Sequence, residues 1–334
     1  MPATKFQIHL PIDEILPSLL DLIRTHPNVL LHAPPGAGKT TRVPLALLDI
    51  IPAEAGRIIM LEPRRLAAVA AAGWMAASLG ETVGLTGGYS IRFDSRVSAA
   101  TRIEVVTEGI LTRRIQNDPL LEGVAMVIFD EFHERSIHAD LGLALCRDVQ
   151  QQLRPELKLL VMSATLDIAP LSGMLDDAPV VSSTGRSFPV EEIYLDEHGP
   201  GKLPQRMTAA IVRALKESEG DILAFLPGSG EIRSCAALLA DAGIAARGVA
   251  IHQLYGDLPF AEQQRAIEPG DTRKIVLATS IAETSLTIEG VRIVIDCGMS
   301  RRMRFDPANG LNRLVTLRES RSSAEQRKGR AGRL

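Results

Sequence analysis

The sequence has few cysteines and no long apolar run. Its three cysteines, Cys146, Cys235 and Cys297, lie far apart and form no CxxC pair, which argues against a disulfide framework and against a zinc motif. No apolar segment approaches the length that crosses a bilayer, and the N-terminus lacks the charged, apolar and small-residue order of a signal peptide. We therefore expect a cytoplasmic protein without a membrane partner.

Negative charge outnumbers positive charge over most of the chain, and the balance reverses at its end. The net charge is -3, yet residues 301–334 contain ten Arg or Lys and three acids, a local charge of +7, which leaves -10 for residues 1–300. Clustered arginines are typical of a site for phosphate, either of a nucleotide or of a nucleic-acid backbone. A solvated tail is the alternative, because runs of charge usually lie in water.

Length and hydrophobic pattern predict the fold class. The 334 residues exceed one average domain. Unbroken runs of Val, Ile and Leu alternate with helical segments at 65–80 and 138–153, as in parallel sheets buried on both faces. We predict two tandem α/β domains at 1–185 and 186–334, each a mostly parallel sheet flanked by helices. The predicted strands lie at 28–33, 57–62, 103–107, 124–130 and 158–165, and then at 221–228, 248–255, 274–280 and 292–298.

The segment HAPPGAGKTT at 32–41 follows a predicted strand and opens a predicted helix. In a phosphate-binding loop, backbone N–H groups turn toward phosphate, a lysine supplies charge and a hydroxyl holds Mg²⁺. Ala33 stands where that pattern has its first glycine, which costs little if its φ angle is ordinary. The alternative is a glycine-rich turn with a chance lysine. We predict a nucleotide site formed by Ala33, Pro34, Pro35, Gly36, Ala37, Gly38, Lys39, Thr40 and Thr41.

Two adjacent acids end the predicted strand at 124–130. Carboxylates at the C-terminal end of a buried parallel strand lie where open α/β sheets hold their ligands. Asp130 would hold Mg²⁺, Glu131 would polarise the attacking water beside the metal, and His133 would sense the neighbouring domain. The alternative is that these acids cap a helix.

Eight ordered segments together resemble the motifs of superfamily 2 helicases of the DEAH/RHA group: APPGAGKTT, LEPRRLAA, TEGIL, DEFHER, SAT, FLPG, LATSIAETSLTI and QRKGRAGR. The resemblance runs from about residue 10 to the end of the chain. Phe132, in place of the group's usual alanine, and the Ala33-Pro34-Pro35 start of the loop resemble the bacterial HrpB branch. The resemblance implies two RecA-like domains of the P-loop NTPase fold, with ATP or another nucleoside triphosphate and Mg²⁺ as cofactors.

The same resemblance implies roles in ATP hydrolysis. Lys39 and Thr40 would bind the β- and γ-phosphates and Mg²⁺, with Asp130 and Glu131 as metal-binding acid and catalytic base. Residues that couple hydrolysis to domain motion would be His133, Ser163, Ala164 and Thr165. The second domain would supply Gln326, which positions the attacking water, and the arginine fingers Arg330 and Arg333.

Nucleic acid would be held through its backbone, so binding should depend on salt more than on sequence. The resemblance implies contacts from Arg64, Arg65, Thr107, Glu108, Gly109, Thr284 and Ser285. Arg92 is a further candidate, and the alternative for it is an ordinary surface arginine on a strand.

The only tryptophan, Trp74, lies in the predicted helix at 65–80. It stands near the place where an arginine of the family stacks on adenine. We hypothesise that Trp74 stacks on the base of the nucleotide; the alternative is a tryptophan packed in the core.

Activity and partners follow from the resemblance. We expect an ATP-dependent RNA helicase core that acts as a monomer on single-stranded nucleic acid, with no protein partner indicated. The alternatives are a DNA helicase, a P-loop motor that remodels a protein or ribonucleoprotein, and a binding module without catalysis. Because the family normally continues beyond GRAGR with further domains, we expect a fragment that hydrolyses ATP slowly and unwinds poorly.

Overall fold

The computed structural model describes residues 9–164, 168–184, 189–195, 201–283 and 288–332. The chain divides into two compact units, Met1–Arg186 and Ser187–Leu334; the predicted boundary between residues 185 and 186 falls outside the described residues. The predicted fold class, two tandem α/β units with mostly parallel sheets flanked by helices, is confirmed. No helix in the described part of the chain is long and apolar enough to cross a membrane.

The first unit is built around an eight-stranded sheet in the order β4-β3-β5-β2-β6-β7-β1-β8. Neighbouring strands are parallel except β3 and β4, which form an antiparallel hairpin. The strands are β1 (Asn28–His32), β2 (Arg57–Glu62), β3 (Gly87–Ile91), β4 (Asp94–Arg96), β5 (Ile103–Thr107), β6 (Val124–Phe129), β7 (Lys158–Ser163) and β8 (Val180–Ser182). The helices are α1 (Leu16–Thr25), α2 (Lys39–Leu47), α3 (Arg65–Ser78), α4 (Glu108–Asn117), α5 (Ile137–Gln152) and α6 (Ile168–Met174).

Helices cover both faces of this sheet, which explains why its strands are unbroken apolar runs. Successive residues of a strand point to opposite faces. In β2, Met60 packs in the cluster that contains α1, α2 and α3, whereas Ile59 packs in the cluster that contains α4, α5 and α6. Each of these strands therefore needs apolar side chains at every position, and its C-terminal end is the first place where a polar side chain can stand.

The second unit contains a four-stranded parallel sheet in the order β10-β11-β9-β12 and a separate antiparallel hairpin, β13-β14. Its core packs α7 and α8 against β9 and β11. The strands are β9 (Asp221–Phe225), β10 (Ala250–Leu254), β11 (Lys274–Ala278), β12 (Val291–Asp296), β13 (Met299–Asp306) and β14 (Leu311–Arg318). The helices are α7 (Leu203–Glu217), α8 (Ser229–Asp241), α9 (Phe260–Ile267) and α10 (Arg321–Lys328).

Candidate functional site

The loop between β1 and α2 has the backbone of a phosphate cradle. Gly36 and Gly38 have φ angles of 82° and 96°, a region that glycine occupies without strain. Ala33 is fully buried and is not among the described non-glycine residues with positive φ. An alanine at the first position of the motif therefore imposes no backbone strain.

The segment before α1 packs directly on this loop. The backbone N–H of Ile12 donates to the carbonyl oxygen of Ala37 at 3.1 Å. A Cβ at Gly38 would lie 2.6 Å from Cδ1 of Leu10, closer than real contacts allow. The φ angle of Gly38 would strain any other residue at this position, and the loop is supported from the side of the N-terminal segment.

Two of the predicted nucleotide-site residues and the two predicted acids converge where α2 begins and β6 ends. Nζ of Lys39 donates to Oε1 of Glu131 at 3.0 Å, and both side chains are buried. Oγ1 of Thr40 donates to Oδ2 of Asp130 at 2.5 Å. Lys39 is the first residue of α2, and Asp130 directly follows β6. The loop lysine and hydroxyl thus face the two adjacent acids.

A third carboxyl group, that of Glu62, belongs to this cluster and was not predicted. Glu62 ends β2, the neighbour of β6, and is fully buried beside Asp130 and Glu131. Burial raises the pKa of Asp130 to about 6, because the charge of Glu131 adds to it while Lys39 only partly opposes it. Burial and the charges of Asp130 and Glu131 also raise the pKa of Glu62 well above its usual value. The rule that pointed to Asp130, an acid at the end of a buried strand, applies equally to Glu62.

The oxygen donors of this cluster fit Mg²⁺. Magnesium takes oxygen ligands, usually one or two carboxylates completed by phosphate oxygens and water. Asp130 and Thr40 present such oxygens, and three carboxyl groups face the single charge of Lys39. Among the described residues, no group of three or more His, Cys, Asp or Glu is arranged to hold a metal ion.

His133 and the end of β7 lie beside Glu131. Nδ1 of His133 is 3.4 Å from Oε2 of Glu131 and also accepts a hydrogen bond from the backbone N–H of Ala164 at 3.4 Å. The carbonyl oxygen of the same Ala164 lies 3.1 Å from Nε2 of His32. Burial lowers the pKa of His133, and Ser163 is buried at the end of β7. Of the predicted coupling residues, Ala164 contacts His133 beside Glu131, and Ser163 is the residue directly before it. Thr165 lies outside the described residues.

Two of the predicted nucleic-acid residues contact the segment that follows Glu131. Arg64 lies 3.2 Å from Glu134 through its NH2 group, and Oε2 of Glu108 accepts from Oγ of Ser136 at 2.6 Å. Burial raises the pKa of Glu108. The structure therefore links the ends of β2 and β5 to the loop that carries the catalytic candidates.

The remaining nucleic-acid candidates are scattered. Arg92 lies in the turn between β3 and β4 rather than on a strand, with its guanidinium carbon 4.7 Å from the ring centroid of Phe93, which is 90% exposed. Thr107 ends β5, Gly109 lies in α4, and Arg65 is the exposed first residue of α3. Thr284 and Ser285 lie outside the described residues.

In the second unit, the arginine motif contributes to the core. Nε of Arg330 donates to the carbonyl oxygen of Glu283 at 2.9 Å, and Arg330 is buried. Arg327, which was not predicted as a functional residue, is 1% exposed and pairs with Glu283, Asp296 and Glu319. Gln326 is partly buried on α10, and Arg333 lies outside the described residues.

Trp74 does not lie in the core. Its side chain is 36% exposed on α3, and the guanidinium carbon of Arg42 lies 5.4 Å from its ring centroid. Packing in the core, the alternative considered for this residue, is therefore wrong. Stacking on a nucleotide base stays a prediction.

Comparison with known families matches the chain in two successive parts. The DEAD/DEAH box helicase family matches residues 13–172, and the helicase conserved C-terminal domain matches residues 205–334. The ATP-dependent RNA helicase HrpB of Escherichia coli (strain K12) is 53% identical over 327 residues, which cover 97% of this chain and 40% of that protein. The ATP-dependent RNA helicase HrpA of the same organism is 37% identical over 339 residues, 100% of this chain and 26% of that protein.

A solved structure shows the same relationship. The crystal structure of the Escherichia coli DEAH/RHA helicase HrpB matches 98% of this chain with a TM-score of 0.88 and 52% identity, and 42% of that chain is covered. The chain thus spans about 40% of the length of this relative. The resemblance to the DEAH/RHA group and its HrpB branch is confirmed. The chain therefore contains a DEAD/DEAH box helicase domain followed by a helicase conserved C-terminal domain.

Proposed function

We propose that this chain is the ATP-hydrolysing core of an RNA helicase. It would hydrolyse ATP, or another nucleoside triphosphate, with Mg²⁺ and be stimulated by single-stranded RNA. The observation that carries this proposal is the meeting of Lys39, Thr40, Asp130 and Glu131 at the start of α2 and the end of β6. The names of the relatives HrpB and HrpA, both RNA helicases, support the choice of RNA.

The geometry suggests how these side chains act. Lys39, which pairs with Glu131, would turn to the β- and γ-phosphates and leave Glu131 able to accept the proton of the attacking water. Thr40 and Asp130 would hold Mg²⁺, with Glu131 beside it, and Mg²⁺ when bound would neutralise charge on the phosphates. Backbone N–H groups of the loop from Ala33 to Thr41 would cradle the phosphates.

The other site residues are proposed for coupling and for nucleic-acid binding. His133, Ser163, Ala164 and Thr165 would transmit the state of the nucleotide, and Gln326, Arg330 and Arg333 would come from the second unit to stabilise the transition state. Because Arg64 and Glu108 contact Glu134 and Ser136, a bound strand would act on the segment after Glu131. The proposed nucleic-acid contacts are Arg64, Arg65, Arg92, Thr107, Glu108, Gly109, Thr284 and Ser285.

The test is NTP hydrolysis over a panel of single-stranded RNAs and DNAs at several salt concentrations. We expect RNA to raise the rate, with weak dependence on sequence and a steep loss with salt. Glu131→Gln should lower the stimulated rate by about 10²- to 10⁴-fold, the usual contribution of a general base, while nucleotide still binds. Stronger stimulation by DNA would make the protein a DNA helicase, and no stimulation by either would favour a motor that remodels a protein or ribonucleoprotein.

Compartment and assembly are part of the same proposal. An ATP-driven enzyme that acts on RNA requires both molecules, and the cytoplasm supplies both. We propose that the chain acts there as a monomer. Sedimentation with and without single-stranded RNA would test this, because it distinguishes the mass of one chain from that of two.

A further inference from the structure

The segment that carries the proposed catalytic base has a strained backbone. Glu131 has φ 50° and ψ 35°, and Arg135 has φ 46°. Both conformations are left-handed, which residues other than glycine adopt at a cost in energy. The two residues stand on either side of a short 3-10 helix, Phe132–Glu134. Such a backbone persists where its surroundings hold it in place, so this turn needs an anchor.

The backbone hydrogen bonds of the turn connect residues that are close in sequence. The N–H of Glu131 donates to Oδ1 of Asp130 at 2.8 Å. The N–H of Glu134 donates to the carbonyl oxygen of Glu131 at 2.9 Å, and the N–H of Arg135 donates to that of Phe132 at 3.2 Å. Because these bonds would move together with the segment, they do not by themselves fix the turn to the sheet.

Phe132 anchors the turn in the apolar core. Its side chain is 4% exposed and belongs to the cluster that contains α4, α5 and α6. Its ring meets that of Phe129, the last residue of β6, with the centroids 6.1 Å apart and the planes at 83°, a favoured edge-to-face geometry. The guanidinium carbon of Arg135 lies 5.8 Å from the centroid of the Phe132 ring, and Arg135 donates to both carboxylate oxygens of Asp140. The ring is thus packed against groups before and after the turn.

Other side chains of the segment contact groups that the proposed function assigns to ligands. Glu131 pairs with Lys39, and Glu134 pairs with Arg64. Because Lys39 would turn to phosphate and Arg64 to nucleic acid, these two contacts would change when the ligands bind. The apolar packing of Phe132 depends on neither ligand, so it can hold the turn throughout the reaction.

We propose that Phe132 is a positioning residue for the proposed catalytic base, because the packing of its ring keeps the backbone of Glu131 left-handed and aims the carboxylate at Lys39. This inference rests on the proposed function and adds to it a residue that acts through Glu131. Protein interiors are close-packed, so Phe132→Ala would leave a cavity beneath the turn. The strained backbone could then relax, and the carboxylate would leave its place.

The test is ATP hydrolysis by Phe132→Ala and Phe132→Leu. We expect Phe132→Ala to lower kcat about 10- to 100-fold, the scale of loss when a reacting group is misplaced. The Kd for a non-hydrolysable ATP analogue should be unchanged, because the phosphate loop keeps its residues. Phe132→Leu, which retains much of the apolar volume, should recover most of kcat. Phe132→Val should lie between the two and carries the same test if Phe132→Ala does not fold.

Leu157→Ala is the matched control for loss of core packing. Leu157 is fully buried in the same cluster but directly precedes β7, whereas Phe132 follows the end of β6. Because β6 and β7 are parallel, the two residues lie at opposite edges of the sheet. Large-to-small changes of both kinds remove a comparable amount of packing. Leu157→Ala should therefore leave kcat close to that of the unaltered protein.

A double substitution shows whether Phe132 acts through Glu131. Phe132→Ala added to Glu131→Gln should lower kcat little further, because a base that is already absent cannot be misplaced. Hydrogen exchange gives a readout that does not depend on hydrolysis. In Phe132→Ala, the amides of residues 131, 134 and 135 should lose protection, while those of β6 keep theirs.

The inference is overturned if Phe132→Ala retains kcat, or if it lowers the kcat of Glu131→Gln by the same factor as that of the unaltered protein. Equal losses of kcat in Leu157→Ala and Phe132→Ala would overturn it as well. If the unaltered protein bound ATP without hydrolysing it, the proposed function would fail, whereas hydrogen exchange would still decide whether Phe132 holds the turn.

Discussion

Each unit contains three carboxyl groups around one buried cation, and the two clusters differ in how well the charges are compensated. In the first unit, Lys39 faces Glu62, Asp130 and Glu131. In the second unit, Arg327 faces Glu283, Asp296 and Glu319. The first set is the more deeply buried, because the side chains of Lys39 and Glu131 are at most 7% exposed whereas that of Asp296 is 22% exposed. In the second set, Glu319 also pairs with another cation, Arg302.

The second cluster is complete as it stands. The guanidinium group of Arg327 reaches Glu283 at 3.1 Å, Asp296 at 2.8 Å and Glu319 at 2.5 Å through three different nitrogens. Its carbon also lies 4.8 Å from the ring centroid of Phe225. Burial alone would lower the pKa of Arg327, but the charges of Asp296 and Glu283 outweigh it and raise the pKa.

The first cluster lacks such compensation. The ammonium of Lys39 is a single point charge, whereas a guanidinium presents a fork that can serve several carboxylates. The pKa values of Asp130 and Glu62 accordingly rise rather than fall. Functional sites commonly retain such locally unfavourable charges, because the ligand supplies what is lacking. The comparison supports the proposal that the first cluster receives Mg²⁺ and phosphate, and it identifies the second cluster as a structural support.

The largest effect on stability is expected from Arg327→Leu. Removal of one partner from a buried ion pair typically costs about 3–5 kcal/mol, and here three carboxylates would be left facing one another. Because unfolding of two units is not a two-state process, the change should be followed by hydrogen exchange. Amides of β9, β12 and α10 should lose protection, while those of β2 and β6 keep theirs.

Arg302→Leu is the matched control for that experiment. Arg302 also pairs with Glu319, but its side chain is 55% exposed. Exposed pairs contribute about 0–1 kcal/mol, so protection in the second unit should change little. Equal losses in Arg302→Leu and Arg327→Leu would contradict the view of Arg327 as the central support.

Replacing one carboxyl group by an amide should stabilise the first unit and destabilise the second. Asp130→Asn removes a crowded charge whose pKa lies at about 6, and should stabilise the first unit by about 1–3 kcal/mol at pH 7.5 while it weakens Mg²⁺-dependent nucleotide binding. Glu319→Gln removes a carboxylate bonded to Arg327, and should destabilise the second unit by about 1.5–3 kcal/mol. Urea unfolding of each variant measures the change in the free energy of unfolding, and hydrogen exchange shows which unit is affected. A first unit that is destabilised in Asp130→Asn would contradict the proposed difference between the clusters.

Much of the first cluster could be predicted from the sequence, because its residues follow unbroken apolar runs. Such runs identify strands buried on both faces, and parallel strands bring their C-terminal ends to one edge of a sheet. Lys39, Thr40, Asp130 and Glu131 were expected together on this ground and by their resemblance to helicase motifs, and the structure brings them together. Glu62 obeys the same rule but was not recognised.

The second cluster could not be predicted in the same way. Arg327 and Arg330 stand three residues apart in QRKGRAGR, and no local pattern distinguishes a buried support from a side chain that acts on a ligand. Only the tertiary partners of Arg327, which come from β12, the end of β14 and the loop after β11, reveal its role. The β13-β14 hairpin was missed because its apolar residues are interrupted by arginines and most of them are exposed.

The smallest expected effect is a difference in acid sensitivity between the units. Burial would raise the pKa of Glu319, but its hydrogen bond with Ser300 and the charge of Arg327 lower the pKa below its usual value. A carboxyl with a lower pKa in the folded chain contributes stability above its unfolded pKa of about 4.3 and loses it as pH falls further. The contribution of Asp130 to stability changes with pH in the opposite direction. Because its pKa is raised, the folded state binds a proton as pH falls through about 6.

Urea unfolding between pH 7.5 and pH 3.5 would therefore show the second unit losing stability in acid, with Glu319→Gln flattening that loss. The contribution of Asp130 should instead become more favourable between pH 7.5 and pH 5, and Asp130→Asn should remove this trend. Because the two variants act on different units, each serves as the control for the other. Parallel pH profiles for the two units, unchanged by either substitution, would show that the clusters are electrostatically equivalent after all.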